Sequence, residues 1–169
     1  MSVKLVKPIN YKKVVKITNQ DFEAKMRELR VNSDIAVAVS GGPDSLALMH
    51  LSNRYALNNN INLTVLSIDH GIRAESSKEI VWLKKVAKKN KINFYSTKLK
   101  KKINSSNTLS KARTLRYEAL SKYCNKKKIK FLLTAHHLDD EIENFLMRLI
   151  SGSGVKGLSS LKVKSRYKN

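Results

Sequence analysis

Apolar residues along the chain follow two alternating spacings. Short apolar runs, typical of strands in a parallel sheet, occur at residues 35–40, 62–69, 93–99 and 131–134. Between and around them, apolar residues recur every three or four positions, which predicts helices over residues 22–31, 46–57, 76–90, 110–126 and 138–150. The polar stretch Asn58, Asn59 and Asn60 marks the end of one of these helices.

The order of these elements predicts an α/β fold. Strands that alternate with helices at this spacing form right-handed βαβ units, which give a Rossmann-like parallel sheet with helices on both faces. Ligands of such sheets bind beyond the carboxyl ends of the strands. The loops after the first, second and fourth predicted strands carry the polar clusters, so we expect all three clusters at one edge of the sheet.

The loop after the first strand has the composition of a phosphate site. Glycines allow unusual backbone angles, and backbone N–H groups at a helix start attract anions. The carboxylate of Asp44 repels phosphate unless a cation lies between them, which indicates magnesium. The lysine of the common P-loop is absent. A plain strand-to-helix turn, capped by Asp or Ser, is the alternative. The predicted phosphate-binding residues are Ser40, Gly41, Gly42, Pro43, Asp44 and Ser45.

The second strand ends at Ile68 and Asp69, followed by His70 and Gly71. Backbone groups at such a strand end commonly hold an adenine or a ribose. The alternative is a simple turn in which the Asp69 side chain accepts a hydrogen bond from the backbone.

The segment after the fourth strand is dense in titratable side chains. Asp140 and Glu143 lie three residues apart, on one face of the predicted helix, and His136 precedes them. A helix start rich in acids beside a phosphate loop indicates a magnesium–nucleotide site with a general acid or base nearby. A zinc site and an acidic helix start that compensates the helix dipole are the alternatives.

Two arginines, Arg113 and Arg116, lie three residues apart on another predicted helix. They suit a phosphate group or a nucleic-acid backbone. A solvent-facing basic stripe is the plainer interpretation.

Charge and composition narrow the class of partner. The formal net charge is +21, residues 84–102 contain nine lysines and no acid, and residues 152–169 also lack acids. Drift in an AT-rich genome enriches lysine, asparagine and isoleucine without selection for binding, so the distribution is more informative than the total. A basic surface around an acidic pocket fits RNA or DNA outside and metal–nucleotide inside.

Length and cysteine content exclude several classes. With 169 residues, the chain suits one compact domain with a core. Its single cysteine, Cys124, excludes an internal disulfide framework and a multi-cysteine metal or iron–sulfur site. Neither an apolar run of membrane-spanning length nor a secretory signal is found, so we expect a reducing cytoplasm and no membrane association.

Together these segments resemble a known family. The loop at residues 40–45 looks like the pyrophosphate loop of the N-type ATP pyrophosphatases (PP-loop proteins), whose fold is that of the adenine nucleotide alpha hydrolases. Residues 69–76, 112–117 and 134–154 are similar to the tRNA(Ile)-lysidine synthetases. The resemblance extends from about Asp34 to Leu158, and the last block is the most specific part.

The resemblance implies a ligase that uses ATP and Mg²⁺ in tRNA modification. ATP adenylates the C2 oxygen of the wobble cytidine in the tRNA(Ile) with a CAU anticodon, and the amine of free L-lysine then displaces AMP. By position, the loop would bind pyrophosphate, Ile68 and Asp69 would border the adenosine, and Asp44 and Asp140 would hold magnesium. His136 and Arg113 would contact phosphates or the intermediate, and Glu143 would help to receive lysine.

The resemblance also predicts the domain organisation. Residues 1–33 form an extension with a short helix, 34–158 the PP-loop domain, and 159–169 a basic tail. Glu143-Asn144 stands where family members usually have Glu-Thr, which is a mild departure. Family members continue well past the end of this chain, so we expect weak or no turnover from this chain alone. A homodimer or a complementing chain is a possible partner. The alternatives are a related tRNA thiolase and a noncatalytic remnant that binds nucleotide or RNA.

Overall fold

The structure is a computed structural model that describes residues 17–69, 76–98 and 108–135. Its strands are parallel and lie in the order β3-β2-β1-β4. The strands are β1 (Ile35–Ala38), β2 (Leu63–Asp69), β3 (Asn93–Lys98) and β4 (Phe131–Thr134). The helices are α1 (Asn19–Glu28), α2 (Pro43–Asn58), α3 (Ser76–Lys89) and α4 (Thr108–Lys126). The predicted α/β fold is confirmed, and the helix predicted over residues 138–150 lies outside the described residues.

Most predicted boundaries are within one residue of the observed ones, and the larger differences, of two or three residues, lie at three of the helix starts, the end of the first helix and the end of β1. The first helix begins and ends three residues earlier than predicted, and β1 ends at Ala38 instead of Ser40. Helix α2 begins at Pro43, three residues before the predicted start. Proline suits the first helical position because its fixed φ matches the helix and its missing N–H would have no intrahelical partner.

The start of α1 carries a signal that the apolar spacing does not show. The Thr18 hydroxyl accepts a hydrogen bond from the backbone N–H of Asp21, and the Asp21 carboxylate accepts one from the backbone N–H of Thr18. This reciprocal capping box fixes the helix start. Hydrogen bonds from Thr18 also lower the pKa of the Asp21 carboxyl group.

The sheet has a packed layer on each face. Side chains alternate between the faces of a strand, so Val37 and Val65 contact the layer that contains α1, α2 and α3. Ala36 and Leu66 contact α4 on the opposite face, through Leu120 and other residues. This division follows from the strand order, because right-handed crossovers from β1 to β2 to β3 place their helices on one face and the return to β4 uses the other.

The four helices of the described segments end in the same way. The second residue after each helix has a left-handed backbone, with φ between 53° and 57° at Arg30, Asn60, Lys91 and Lys128. The apolar residue that follows donates its N–H back to a carbonyl in the last turn, as Val31 does to Met26 at 3.0 Å. This Schellman arrangement satisfies helix-end carbonyls and directs the chain into the following strand. The other three pairs are Ile61 with Ala56, Ile92 with Ala87, and Ile129 with Cys124.

Two polar contacts hold elements together away from the predicted site. The buried hydroxyl of Tyr55 in α2 donates to the carbonyl of Val31 at 2.6 Å, which ties α2 to the segment before β1. The Asp34 carboxylate accepts a hydrogen bond from the backbone N–H of Asn62 at 2.9 Å, next to the amino ends of β1 and β2. Within the three described segments, no helix combines the length and apolar character that crossing a membrane requires.

Candidate nucleotide-binding site

The strand order places the predicted phosphate loop at a switch point of the sheet. From β1 the chain moves first toward β2 and β3, and it later returns to place β4 on the other side of β1. The carboxyl ends of β1 and β4 are therefore neighbours at the point where the strand order reverses, and ligands of such sheets bind at this kind of position. Because β2, β1 and β4 are neighbours, their carboxyl ends lie side by side as predicted.

The hydroxyl of Ser45 organises the loop from inside. Its oxygen accepts hydrogen bonds from the backbone N–H and the hydroxyl of Ser40, at 3.3 Å and 3.4 Å, and donates to the carbonyl of Gly42 at 2.9 Å. Ser45 is buried, whereas Ser40 is exposed. Ser40 and Ser45 are both predicted to bind phosphate, but the Ser45 hydroxyl proton is already donated within the loop.

The two loop glycines have different backbone requirements. Gly41 has φ +93°, a conformation that strains residues with a side chain, and open space surrounds the position of a Cβ atom. Gly42 has φ −70°, which any residue adopts, so the prediction of unusual angles holds for Gly41 alone.

The first turn of α2 has backbone N–H groups without a side-chain cap. Gly42 is the N-cap residue and makes no side-chain cap hydrogen bond, so the alternative of a turn capped by Asp or Ser is wrong. An uncapped start of a 16-residue helix at the carboxyl edge offers N–H donors and positive dipole potential to an anion.

We predict that Gly41→Ala lowers the free energy of unfolding by about 1–3 kcal/mol, because alanine at φ +93° is strained. Gly42→Ala is the matched control, and it should stay within about 0.5 kcal/mol because the nearest heavy atom to its Cβ is 3.9 Å away. Urea unfolding of the two variants and the parent chain measures the difference. Equal destabilisation by both substitutions would contradict the assigned backbone conformations.

Two carboxylates lie at adjacent strand ends near this turn. Asp44 is exposed in the first turn of α2, and Asp69 is buried at the carboxyl end of β2. Mg²⁺ binds oxygen ligands, often one or two carboxylates together with substrate phosphates, so an exposed carboxylate beside a phosphate loop fits that mode of binding. Within the described segments, no three His, Cys, Asp or Glu residues cluster as a complete metal site.

Helix α4 carries the predicted arginine pair. The guanidinium groups of Arg113 and Arg116 lie 5.9 Å and 5.6 Å from the ring centre of Tyr117, within the range of cation–π attraction. All three residues are partly buried, and the alternative of a solvent-facing basic stripe stays open. Since α4 follows β3 and runs back to β4, its first half lies toward the carboxyl edge of the sheet.

The aromatic member of this group was not identified as functional from the sequence. Tyr117 stands four residues after Arg113, a spacing that places the two side chains on one face of a helix, whereas the proximity of the adjacent Arg116 is seen only in the structure. A search for aromatic residues adjacent to paired cations would have found it.

Several predicted site residues lie outside the described segments. They are His136, Asp140 and Glu143, together with His70 and Gly71. The described chain reaches Thr134 at the end of β4 and Ala135 after it, and this end of β4 lies at the edge of the sheet that carries the predicted phosphate loop. Their roles, including a magnesium ligand at Asp140, stay predictions, as do the three domain ranges.

Comparison with known proteins agrees with this geometry. A family model described as a PP-loop domain matches residues 12–169. The chain is 49% identical over 131 residues to the tRNA(Ile)-lysidine synthase of Rickettsia bellii (strain OSU 85-389), which covers 78% of this chain and 30% of that protein. It is also 44% identical over 137 residues to the protein of the same name from Wolbachia pipientis wMel. That match covers 79% of this chain and 32% of the Wolbachia protein. The chain thus spans about a third of the length of these curated relatives.

A solved structure shares the fold. The U34-tRNA thiolase NcsA from Methanococcus maripaludis, solved with its 4Fe–4S cluster, is 25% identical and superposes with a TM-score of 0.68. The match covers 81% of this chain and 51% of the thiolase.

Proposed function

Because the chain belongs to the PP-loop domain family, we propose that it binds ATP and provides the nucleotide site for ligating lysine to a tRNA. The proposed substrate is the wobble cytidine of the tRNA(Ile) with a CAU anticodon, and the product is lysidine. The 40–49% identity to relatives named tRNA(Ile)-lysidine synthase supports this choice among PP-loop reactions.

The proposal depends on one observation, the geometry of the loop between β1 and α2 at the switch point of the sheet. The Ser45 hydroxyl holds the turn, Gly41 supplies the left-handed backbone, and the uncapped start of α2 presents N–H groups. Such a loop stabilises charge that develops on a departing pyrophosphate, because its donors are already oriented before the reaction.

The proposed first step activates the base. The C2 oxygen of cytidine attacks the α-phosphorus of ATP, the bond to the bridging oxygen of the β-phosphate breaks, and pyrophosphate leaves. The loop binds the departing pyrophosphate, and Arg113 and His136 contact the phosphates or the adenylated cytidine. The strand end at Ile68 and Asp69 borders the adenosine.

The proposed second step replaces AMP with lysine. The amine must lose a proton before it attacks C2, and a nearby carboxylate such as Glu143 suits the receipt of lysine and of that proton. The C2–oxygen bond then breaks and AMP leaves. Mg²⁺, with Asp44 and Asp140 as its proposed ligands, supplies charge neutralisation at the phosphates when bound.

Pyrophosphate release from ATP tests the proposal. The 169-residue chain is incubated with ATP, Mg²⁺ and a transcript of the CAU-anticodon tRNA, and a second transcript carries a purine at the wobble position. Neither adenine nor guanine has a C2 oxygen, so release, which we expect to be weak from this chain alone, should be stimulated by the first transcript and not by the second, with AMP transferred to the RNA when lysine is omitted. ATP binding without release from either transcript would favour the noncatalytic alternative, and absence of ATP binding would refute the nucleotide site.

A thiolase is the second candidate, because NcsA shares the fold. A 4Fe–4S cluster is normally held by several cysteine thiolates, and the 169 residues contain one cysteine. Cys124 is buried against Leu66 and Leu120, and burial raises the pKa of its thiol, which disfavours a reactive thiolate. These properties favour the ligase.

A further inference from the structure

The outer face of α3 combines exposed apolar and basic side chains. Leu83 and Ala87 are 1% and 0% exposed and anchor the helix on the sheet, whereas Val81 and Trp82 are 55% and 47% exposed. Around them, at helical spacings of three, four and seven residues, stand exposed lysines. We define the α3 face as Lys78, Val81, Trp82, Lys84, Lys85, Lys88 and Lys89.

These lysines have no countercharge within the described segments. The salt bridges there join α1 residues, Lys25 with Glu28 and Arg27 with Glu23. The acid of α3, Glu79, lies in its first turn, where it compensates the helix dipole. The α3 face therefore presents a strip of positive charge beside a large exposed aromatic ring.

We infer that the α3 face binds RNA, with its lysines on phosphates and the Trp82 indole stacked on an unpaired base. Aromatic rings beside basic grooves bind single-stranded segments in this manner, because every base has a face on which a ring can stack. The inference rests on the proposed function, from which RNA rather than DNA follows as the partner. It adds a contact surface outside the phosphate loop.

The alternative of a membrane surface fits the helix less well. An interfacial helix inserts its broad apolar face into lipid, whereas the broad apolar face of α3, with Leu83 and Ala87, is buried in the protein core. What remains outside is the pair Val81 and Trp82 among lysines, an area suited to one or two bases.

The position of α3 connects this face with the nucleotide site. Helix α3 follows β2, so it begins at the carboxyl edge of the sheet and runs back toward the amino edge. Trp82 stands six residues after Ser76, about 9 Å along the helix axis. An RNA strand on the α3 face would thus run toward the edge where the phosphate loop lies.

Trp82 is the only tryptophan in the chain, so its fluorescence reports the contact directly. The full chain is titrated, without ATP, with an unmodified transcript of the CAU-anticodon tRNA. We expect the transcript to quench Trp82 fluorescence on binding. Trp82→Ala should weaken binding, measured with labelled RNA, by about 5- to 100-fold, and Trp82→Phe should restore most of it.

Charge-matched variants separate this surface from general attraction of a basic protein to RNA. Replacing Lys78, Lys85 and Lys89 with Gln should lower the slope of log affinity against log salt by about 2. Replacing Lys122, Lys126 and Lys127 of the α4 end removes the same charge and should change affinity much less. Leu57→Ala, at a side chain that is 71% exposed on α2, controls for lost apolar surface.

Three results would overturn the inference: RNA binding without a change in Trp82 fluorescence, equal effects of the two lysine triplets, or a response to anionic vesicles and not to RNA. Because ATP is omitted, failure here is distinguishable from failure of the proposed function. If RNA bound through Trp82 but was not adenylated, the proposed reaction would be wrong and RNA binding by the α3 face would stand. If RNA was adenylated equally well by the Trp82→Ala variant, RNA binding by the α3 face would be wrong and the proposed reaction would stand.

Discussion

Replacing Asp44 with Asn is expected to reduce Mg²⁺-dependent pyrophosphate release about 100-fold or more. Asparagine has nearly the same shape and keeps the first turn of α2, but it lacks the negative charge that would hold a cation beside the phosphates. Without Mg²⁺ the substitution should no longer weaken the interaction with ATP. The variant should bind free ATP at least as tightly as the parent chain, because a carboxylate that repels phosphate has been removed.

Titration of ATP with and without Mg²⁺, combined with the release assay, measures both effects. Glu118→Gln, at an exposed acid on α4, removes the same charge and should leave both unchanged. If Asp44→Asn weakened ATP binding equally in the presence and absence of Mg²⁺, the carboxylate would act through loop structure and not through a cation. If Asp44→Asn left release and Mg²⁺ dependence intact, the proposed role of Asp44 would be wrong.

Met49→Ala is expected to lower the free energy of unfolding by about 2–5 kcal/mol. Met49 is 0% exposed in the main core cluster and stands four residues after Ser45 on the buried side of α2. Its loss leaves a cavity beneath the helix that carries the phosphate loop. Since a domain of this size is stable by only about 5–15 kcal/mol, the variant should unfold at a much lower urea concentration.

Ser52→Ala is a matched control on the same side of α2. Ser52 is also 0% exposed, and its hydroxyl is without a hydrogen-bond partner in the described structure. Removing an unsatisfied buried hydroxyl should leave stability unchanged or raise it by about 1 kcal/mol. Met49→Leu conserves volume and should cost less than about 1.5 kcal/mol. A Met49→Ala effect as small as that of Ser52→Ala would show that α2 is not anchored at Met49.

The bounds of strands and helices were predicted well where they depend on residues that are close together in the sequence. The strand at residues 131–134 was predicted with its observed bounds, and β2 and β3 differ from prediction by one residue each at one end. The helix start at Pro43 was placed too late because the loop was interpreted as ending at Ser45. Proline and the carboxylate of Asp44 favour a first helical turn, so that information was present in the residues.

The candidate site was predicted in outline and corrected in detail. Composition predicted a phosphate-binding role for the loop, which stays a prediction, and it gave both glycines and both serines the same roles. Folding distinguished them: Gly41 alone is left-handed, and the Ser45 hydroxyl donates inward to Gly42. Backbone angles and hydrogen-bond partners depend on how β1 delivers the chain to α2, which composition does not encode.

By itself the sequence determined the alternation of strands and helices, the phosphate-loop composition and the excess of positive charge. These follow from the period of apolar residues and from side-chain chemistry, which are properties of short segments. The tertiary structure decided that β1 lies between β2 and β4, which brings their carboxyl ends side by side, and that Trp82 faces outward among lysines. Strand order and exposure depend on contacts between residues far apart in the chain, because each strand and helix must bury its apolar side against a distant element.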